Sequence, residues 1–519
     1  MKGSAEEYCL CTSAWLPCST VAGKTVHLGL VEALVRAHEL RGLADPSPLV
    51  AAALTRMLLA IVHRSIDGPG SVAEWLELVR RGRLPETKIV EYLDRVRSRL
   101  NLFDPIHPFA QVRGLAVEPA DAATLMTPRS NWGGGTGLFA HRNEDRSSSL
   151  AADVAARWLV ARQSFDVGGL VSGRPKSASA APLTAAAVVL VRGASLFETL
   201  VSNLLVYSPE RSAPIPGTSG DCPHWEQEPP PADFESDAEP KRVPRGWLDS
   251  LTWLARRIEL IVEAGRVVGW KRAAWQGVSP ESAPDPMVAW VSNDKNARRA
   301  VRIDSARSFW RNSHALFEGF AVSRESRQRP AALAQIARRE ARLVFPSERR
   351  FTLDVLGIAT DQAVIEMERW DRIEASAALL ADPNAADAVR GGIDITESAY
   401  DALHKGLWAF ARHAVAPGGR DLDAKDVRKL IEGLAVAPEY WNACESAFSH
   451  FLGLMSSGGR EAALADLRGR VRAIAESAFE RGVRALGDNA RSIRAIALAS
   501  SRFRASLALL QSTTEGASS

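Results

Sequence analysis

The sequence has no uninterrupted apolar run long enough to cross a membrane. Its cleanest apolar stretch, residues 183–191, is far short of the roughly 20 residues that a spanning helix needs. The first twenty residues contain Glu6 and Glu7 and lack a basic start followed by an apolar core, so we expect no signal peptide. These absences argue against a membrane protein and predict a cytoplasmic protein with no membrane partner.

Cysteines are few: the chain has 5 of them in 519 residues. Cys9, Cys11 and Cys18 crowd the N-terminus without the two-residue spacer of a zinc knuckle. A zinc site built from these three and a distant histidine stays open, but the pattern favours small buried strand residues with reduced thiols. The 10 histidines form no His-Glu-x-x-His motif, and we expect no metal and no cofactor.

Catalytic signatures are missing as well. We find no Gly-x-Ser-x-Gly elbow, kinase motif set or dinucleotide fingerprint. The glycine-rich stretch at residues 131–137 lacks the Gly-Lys-Ser/Thr ending of a phosphate-binding loop. The sequence therefore gives no positive evidence for an enzyme.

Basic residues, in contrast, are concentrated in one segment. The whole chain has a net charge of +3. Residues 295–350 hold fourteen Lys/Arg and five Asp/Glu, so this segment has a net charge of +9 and the rest of the chain −6. Concentrated arginine is what a phosphate backbone requires, since each neutralised phosphate releases counterions. A solvated arginine-rich face is the alternative.

The N-terminal part mixes two kinds of apolar pattern. Strand-like runs alternate with helical spacing through the first 380 residues. A segment at 207–246 holds nine of the 28 prolines and is expected to be an extended surface excursion. The expected elements are a hairpin at 8–28, helices at 30–44, 49–65, 87–100 and 149–165, and strands at 253–260, 266–275 and 351–358.

The C-terminal part has helical spacing alone. From residue 384 the apolar residues recur in alternating steps of three and four, which is typical of packed helices. The four series are Tyr400, Leu403, Leu407 and Phe410; Trp441, Cys444, Phe448, Phe451 and Met455; Leu464, Leu467, Val471, Ile474 and Ala478; and Ile493, Ile496, Ser500, Phe503, Leu507 and Leu510. We therefore predict an α+β fold, with a large mixed α/β N-terminal domain over 1–380, an all-α four-helix bundle over 384–511 and a disordered tail over 512–519.

The order of several local motifs resembles CasA, the family of large subunits of type I-E CRISPR Cascade complexes. The resembling motifs are Trp15-Leu16-Pro17, His107-Pro108-Phe109-Ala110-Gln111, Leu138-Phe139, Gly168-Gly169-x-x-Ser172-Gly173, Val191-Arg192-Gly193 and Phe309-Trp310-Arg311-Asn312. The resemblance implies a nonenzymatic subunit at the 5′ end of the crRNA. Such a subunit recognises the protospacer-adjacent motif (PAM) on double-stranded DNA and helps to open the duplex.

The resemblance also implies partners. The C-terminal bundle would dock against the small-subunit dimer. The backbone subunits and the subunit that binds the crRNA 5′ handle would complete the complex. A helicase-nuclease would be recruited to the large subunit after the R-loop forms.

Site residues follow from the resemblance one motif at a time. Phe139 and, shortly after it, His141 match the family's motif-contacting loop. Gly168 and Gly169 match its glycine loop, which meets the duplex from the minor-groove side, where a missing side chain allows close approach. Arg174 places positive charge beside these glycines.

Two candidates match the family's lysine finger. Lys271 and Arg272 lie in the corresponding segment, although a stricter alignment gives Ala274. Some relatives carry a four-cysteine zinc insert before this segment, where this chain has only Glu263-Ala264-Gly265. The resemblance therefore implies no zinc site.

The family's glutamine wedge, inserted beside the PAM, also has two candidates. Gln328 is one, and the spacing from Gly319-Phe320 indicates Arg324 as the other. Arg327 and Arg329 lie beside them and are expected to neutralise phosphates without reading bases.

Two other functions remain open at this stage. One is a nucleic-acid-processing enzyme with an appended helical bundle, which would show cleavage dependent on divalent metal. The other is a purely structural assembly protein, whose arginines would contact only partner proteins or crRNA. Salt-dependent binding to duplex DNA would argue against the second.

Overall fold

The computed structural model describes residues 7–126, 148–234, 236–292, 298–319, 326–361, 364–415, 423–456, 459–485, 487 and 490–512. The chain divides into two compact units. The first comprises Met1–Leu316 and Ala321–Ile373, and the second comprises Phe317–Phe320 and Glu374–Ser519. The first unit mixes helices and strands and the second is helical, so the predicted fold class is confirmed.

The unit boundary differs from the expected one at 380–384. The second unit begins at Glu374 and also includes a short earlier segment, Phe317–Phe320. This segment contacts the start of the long helix of its unit at 385–415, because the Ala386 amide donates to the Glu318 carbonyl oxygen at 2.8 Å. The predicted tail at 512–519 lies outside the described residues, apart from Ser512.

The first unit contains short strands and helices of moderate length. Its elements are β1 (Leu16–Thr20), β2 (Thr25–Leu28), α1 (Leu30–Val35), β3 (Leu40–Leu43), α2 (Pro48–Ile66), α3 (Val72–Arg81), α4 (Glu86–Arg95), β4 (Ala120–Asp121), α5 (Ala152–Phe165), β5 (Gly169–Leu170), β6 (Ser177–Ala178), β7 (Val188–Arg192), α6 (Leu196–Asn203), β8 (Lys241–Arg242), α7 (Trp247–Leu251), β9 (Arg256–Glu263), β10 (Arg266–Ala274), β11 (Gly277–Val278), β12 (Trp290–Ser292), β13 (Arg298–Ala300), β14 (Ser326–Gln328), α8 (Ala331–Ile336), β15 (Arg350–Asp361) and β16 (Val364–Ser376), whose last residues cross the boundary.

Helix α2 is the central helix of the first unit. It is the one described helix that is long and apolar enough to cross a membrane, and 83% of its apolar window is buried inside the fold. A helix that is apolar on all sides is typical of a protein core. Even Arg56, one of its two arginines, is buried and pairs with Asp285 at 2.9 Å.

The N-terminal expectations are confirmed in part. Strands β1 and β2 form an antiparallel hairpin, as predicted, but its first strand begins at Leu16 and not at the expected residue 8. The helix expected at 30–44 is wrong beyond Val35, because the chain then forms β3, which pairs with the other edge of β1. Backbone pairing with a distant strand has outweighed the local helical pattern here.

The proline-rich segment at 207–246 contains only short elements, as expected, but it is not simply a surface excursion. Trp225 is 3% exposed, and its indole nitrogen donates to the Tyr92 hydroxyl at 2.8 Å. Glu226 pairs with Arg64 of α2 at 2.7 Å. The segment is therefore anchored to the core at its middle.

Apart from the end of β16, the regular elements in the described part of the second unit are helices. They are α9 (Ala377–Ala381), α10 (Ala385–Val415), α11 (Ala424–Gly433), α12 (Val436–Met455), α13 (Arg460–Arg484) and α14 (Ala490–Ser512). The long helix α10 packs against α13 and α14, and α12 packs against α13. The short helix α11 was not expected from the sequence.

The buried residues of α13 match the predicted helix register, and those of α14 match it only in the second half of the helix. Leu467, Val471 and Ala478 of α13 are at most 1% exposed, as their series predicts. The first half of the α14 series is wrong, because Ile493 is 56% exposed. The buried residues there are Ser492, Ala495 and Ala499, one position earlier, and the predicted register resumes at Phe503.

Candidate nucleic-acid interface

Residues 168–178 form a small antiparallel hairpin, here called the glycine hairpin. Strands β5 and β6 pair Gly169 with Ala178 and Leu170 with Ser177. Gly169 has a φ of +120°, which residues with a side chain rarely adopt. A Cβ on Gly168 would lie 2.8 Å from the Ala180 nitrogen. Both glycines are therefore required by the hairpin's own backbone, whatever else the hairpin contacts.

A buried ion-pair cluster lies directly before the glycine hairpin. Asp166 is 0% exposed and pairs with Arg162 and Arg256 at 2.7 Å and with Arg272 at 2.8 Å. Burial alone would raise the pKa of Asp166, but the charges of the three arginines outweigh it and hold the pKa well below its ordinary value. The cluster joins α5 and both strands of the β9–β10 hairpin to the start of the glycine hairpin.

The two lysine-finger candidates lie on β10, and both make bonds within the chain. The Lys271 ammonium donates to the Leu115 carbonyl oxygen at 2.9 Å and pairs with Glu259 at 3.3 Å. The Arg272 side chain is 14% exposed, and its guanidinium donates to both carboxylate oxygens of Asp166. Lys271, at 23% side-chain exposure, is the more accessible of the two.

Arg174 lies in the turn of the glycine hairpin and is exposed. Its side chain is 59% exposed, and its Nε lies 3.5 Å from the carboxylate of Asp237, whose side chain is 79% exposed. Ion pairs this exposed contribute little to stability and exchange partners readily. The Arg174 side chain is thus accessible, and its expected role beside the DNA stays a prediction.

A three-stranded sheet contains three arginines of the basic segment, Arg298, Arg299 and Arg327, and we call it the arginine sheet. Its strand order is β13-β12-β14. Arg299 and Arg327 both lie opposite Val291, from the two sides of β12, so they share one face. Gln328 lies opposite Trp290 and is exposed.

The arginines of this region differ in exposure. Arg327 and Arg329 are half-buried, with their Nε atoms enclosed by protein. Arg298, Arg299 and Arg302 are exposed. Sequence reasoning did not single out the three exposed ones, although Arg298 and Arg299 form an adjacent pair at the start of the basic segment.

Three predicted site residues, Phe139, His141 and Arg324, lie outside the described residues. The predictions for them stay predictions.

The N-terminal cysteines are buried and lie in the fold as small apolar residues. Burial raises the pKa of Cys11 and of Cys18 to about 12, which disfavours the thiolate that metal binding requires. In the part of the chain that the structure describes, no group of three or more His, Cys, Asp or Glu side chains could hold a metal ion.

Exposed arginines that cluster in one region, such as Arg298, Arg299 and Arg302, are an electrostatic feature of nucleic-acid-binding proteins. Comparison with known proteins narrows this class. Residues 10–478 match the family model of CRISPR-associated protein Cse1. CRISPR-associated protein CasA/Cse1 of Thermus thermophilus is 32% identical over 511 residues, which are 96% of this chain and 97% of that protein.

Solved structures agree with the sequence comparison. Thermus thermophilus CasA (Cse1) has a TM-score of 0.81 at 29% identity, over 97% of this chain and 100% of that one. A chain of a CRISPR RNA-guided surveillance complex has the same fold, with a TM-score of 0.69 at 19% identity over 96% of this chain and 99% of that one. The chain belongs to the CRISPR-associated protein Cse1 family, so the resemblance seen in its motifs is confirmed.

Proposed function

We propose that the chain is the non-catalytic large subunit of a type I-E CRISPR surveillance complex, and that it recognises the PAM on target double-stranded DNA. The observation that carries this proposal is the family match across residues 10–478, which includes the glycine hairpin and the arginine sheet. In such a system guide RNA reads the target by base pairing, and the protein reads only a short motif and the backbone shape.

In this proposal, the glycine hairpin reads the PAM. Gly168 and Gly169 are half-buried at its base, and Arg174 offers an accessible positive charge in its turn. The minor groove presents a degenerate pattern of donors and acceptors. Backbone contacts in that groove would therefore accept several related motifs.

In this proposal, the arginine sheet supplies the part of DNA binding that does not depend on the base sequence. Arg298, Arg299 and Arg302 are exposed charges within a short stretch of chain. Arginines of this kind bind phosphates without reading bases. Gln328 is exposed on the same sheet, which keeps it available for the wedge role beside the opened base pair.

The remaining parts of the proposal concern assembly in the cytoplasm. The helical second unit would dock against the small-subunit dimer, and the first would meet the crRNA with its handle-binding and backbone subunits. After R-loop formation the large subunit would present the landing surface for the helicase-nuclease. The family match and the separate helical unit support these assignments.

Co-purification with the candidate partner subunits and guide RNA tests the proposal. The assembled complex should bind a target duplex with a PAM more tightly than the same duplex without one. It should not cleave DNA with divalent metal present until a nuclease is added. Equal affinity for the two duplexes would contradict PAM recognition, and metal-dependent cleavage by the purified chain would contradict the non-catalytic role.

A further inference from the structure

Strand β9 begins with two adjacent arginines that are almost completely buried. Arg256 is 1% exposed and Arg257 is 2% exposed. Successive residues of a strand point to opposite sides, so their guanidinium groups reach different neighbours. Both nevertheless bond to the segment that contains the glycine hairpin.

Arg256 holds the base of the glycine hairpin. Its Nη2 donates to the Ser179 carbonyl oxygen at 2.6 Å and to the Val167 carbonyl oxygen at 3.2 Å. These carbonyls belong to the residues that directly precede and follow residues 168–178. Its Nε bonds Asp166 at 2.7 Å, so the base is fixed to the buried ion-pair cluster.

Arg257 holds the turn of the same hairpin. Its Nη2 donates to the Arg174 carbonyl oxygen. Its Nε donates to the Ala274 carbonyl oxygen at 2.8 Å, and its Nη1 donates to the Ala232 carbonyl oxygen at 2.9 Å. One side chain thus ties the hairpin turn to the end of β10 and to the proline-rich segment.

The hairpin needs this external support. Its ladder has only two residue pairs, and an isolated two-stranded hairpin is marginally stable in water even when it is longer. Only a planar guanidinium offers several donors in fixed directions, so lysine could not make the same set of bonds.

We propose that Arg256 and Arg257 are positioning residues, which hold the glycine hairpin in the conformation that reads the duplex and so set PAM discrimination without contacting DNA. The proposal rests on the proposed function of the hairpin. It predicts that a substitution that removes the hydrogen bonds of either arginine lowers the affinity for the PAM-bearing duplex and leaves the affinity for a duplex without a PAM unchanged.

The test compares Arg257→Lys with Arg56→Lys in the assembled complex. Arg56 is an equally buried arginine of the same unit, but its guanidinium bonds to Asp285 and to the Ser250 carbonyl oxygen. We expect Arg257→Lys to lower the affinity ratio between PAM-bearing and PAM-less duplex by roughly tenfold, as for the loss of a charged buried hydrogen bond. Arg56→Lys should leave that ratio unchanged. A wild-type ratio in Arg257→Lys, or an equal loss in both variants, would overturn the inference.

Hydrogen exchange on the full-length subunit gives a second readout that does not depend on DNA. The Val171 amide bonds to the Lys176 carbonyl oxygen across the hairpin at 2.9 Å. It should exchange faster in Arg257→Lys than in wild type or Arg56→Lys, and unchanged exchange would overturn the inference. A wild-type complex without PAM preference would contradict the proposed function instead, and the exchange experiment would still decide whether Arg257 holds the hairpin.

Discussion

The first unit contains two concentrations of arginine with opposite surroundings. Around Asp166, the side chains of Arg162 and Arg256 are 1% exposed and that of Arg272 is 14% exposed. In and beside the arginine sheet, Arg298, Arg299 and Arg302 are exposed. The first group bonds to a carboxylate and to backbone carbonyls, whereas the second faces solvent.

This difference separates two functions of the same residue type. A buried guanidinium must have its donors satisfied, so it organises the backbone around it. An exposed guanidinium keeps its charge available to a phosphate. We therefore expect the buried group to affect stability and hairpin geometry, and the exposed group to affect the salt dependence of DNA binding.

The largest expected effect is that of Asp166→Ala. The substitution leaves three arginines without their shared carboxylate, and breaking a buried pair in this way costs about 3–5 kcal/mol. Thermal unfolding of the variant should show a strongly destabilised first unit. The control is Asp237→Ala, which removes the exposed partner of Arg174 and should cost less than about 1 kcal/mol. Equal melting temperatures for the two variants would contradict the distinction between the buried and the exposed arginines.

A contrast between a buried and an exposed position can also be tested in the helical unit, with Leu467→Asp and Ile493→Asp. Leu467 is 0% exposed, so a charge there should cost several kcal/mol, on the order of 3 or more. Ile493 is 56% exposed, and its substitution should stay within about 0.5 kcal/mol. Denaturant unfolding of both variants measures the two values. Similar destabilisation would show that the observed register of α14 is wrong.

Two histidines, the buried His63 and the half-buried His224, should make the first unit sensitive to acid. Burial lowers the pKa of His63 to about 4 and that of His224 to about 3. The unfolded chain takes up these protons near pH 6.5, while the folded chain does not, so stability falls as the pH decreases from about 6.5 toward 4. The expected slope is up to about 1.4 kcal/mol per pH unit for each histidine. Unfolding of wild type and His63→Phe across this range should show a smaller slope in the variant, and equal slopes would refute the assignment.

Local patterns predicted much of the fold. The helices expected at 49–65 and 149–165 correspond to α2 and α5, and the strands expected at 253–260 and 266–275 correspond to β9 and β10, because the signals for these elements are local in the sequence. The α14 register was missed because small residues, Ala495 and Ala499, form the buried side while larger apolar ones face outward.

The candidate site was less predictable than the fold. A sequence shows where arginines are dense but not which carbonyls or carboxylates approach them. Lys271 and Arg272 were expected at the DNA, yet partners distant in sequence bond them within the fold. The supporting roles of Arg256 and Arg257 depend on contacts with residues some 80 or 90 positions earlier, such as Arg174 and Asp166, and no local pattern signals them.

The salt dependence of duplex binding tests the central distinction most directly. In the assembled complex, Arg298→Ala combined with Arg299→Ala should weaken binding to all sequences alike. It should also flatten the plot of log affinity against log salt by up to about two units. The control, Arg80→Ala with Arg81→Ala, removes an adjacent exposed pair at the end of α3 and should leave the slope unchanged. A wild-type slope in the Arg298/Arg299 variant, or the same flattening in the control, would contradict the account.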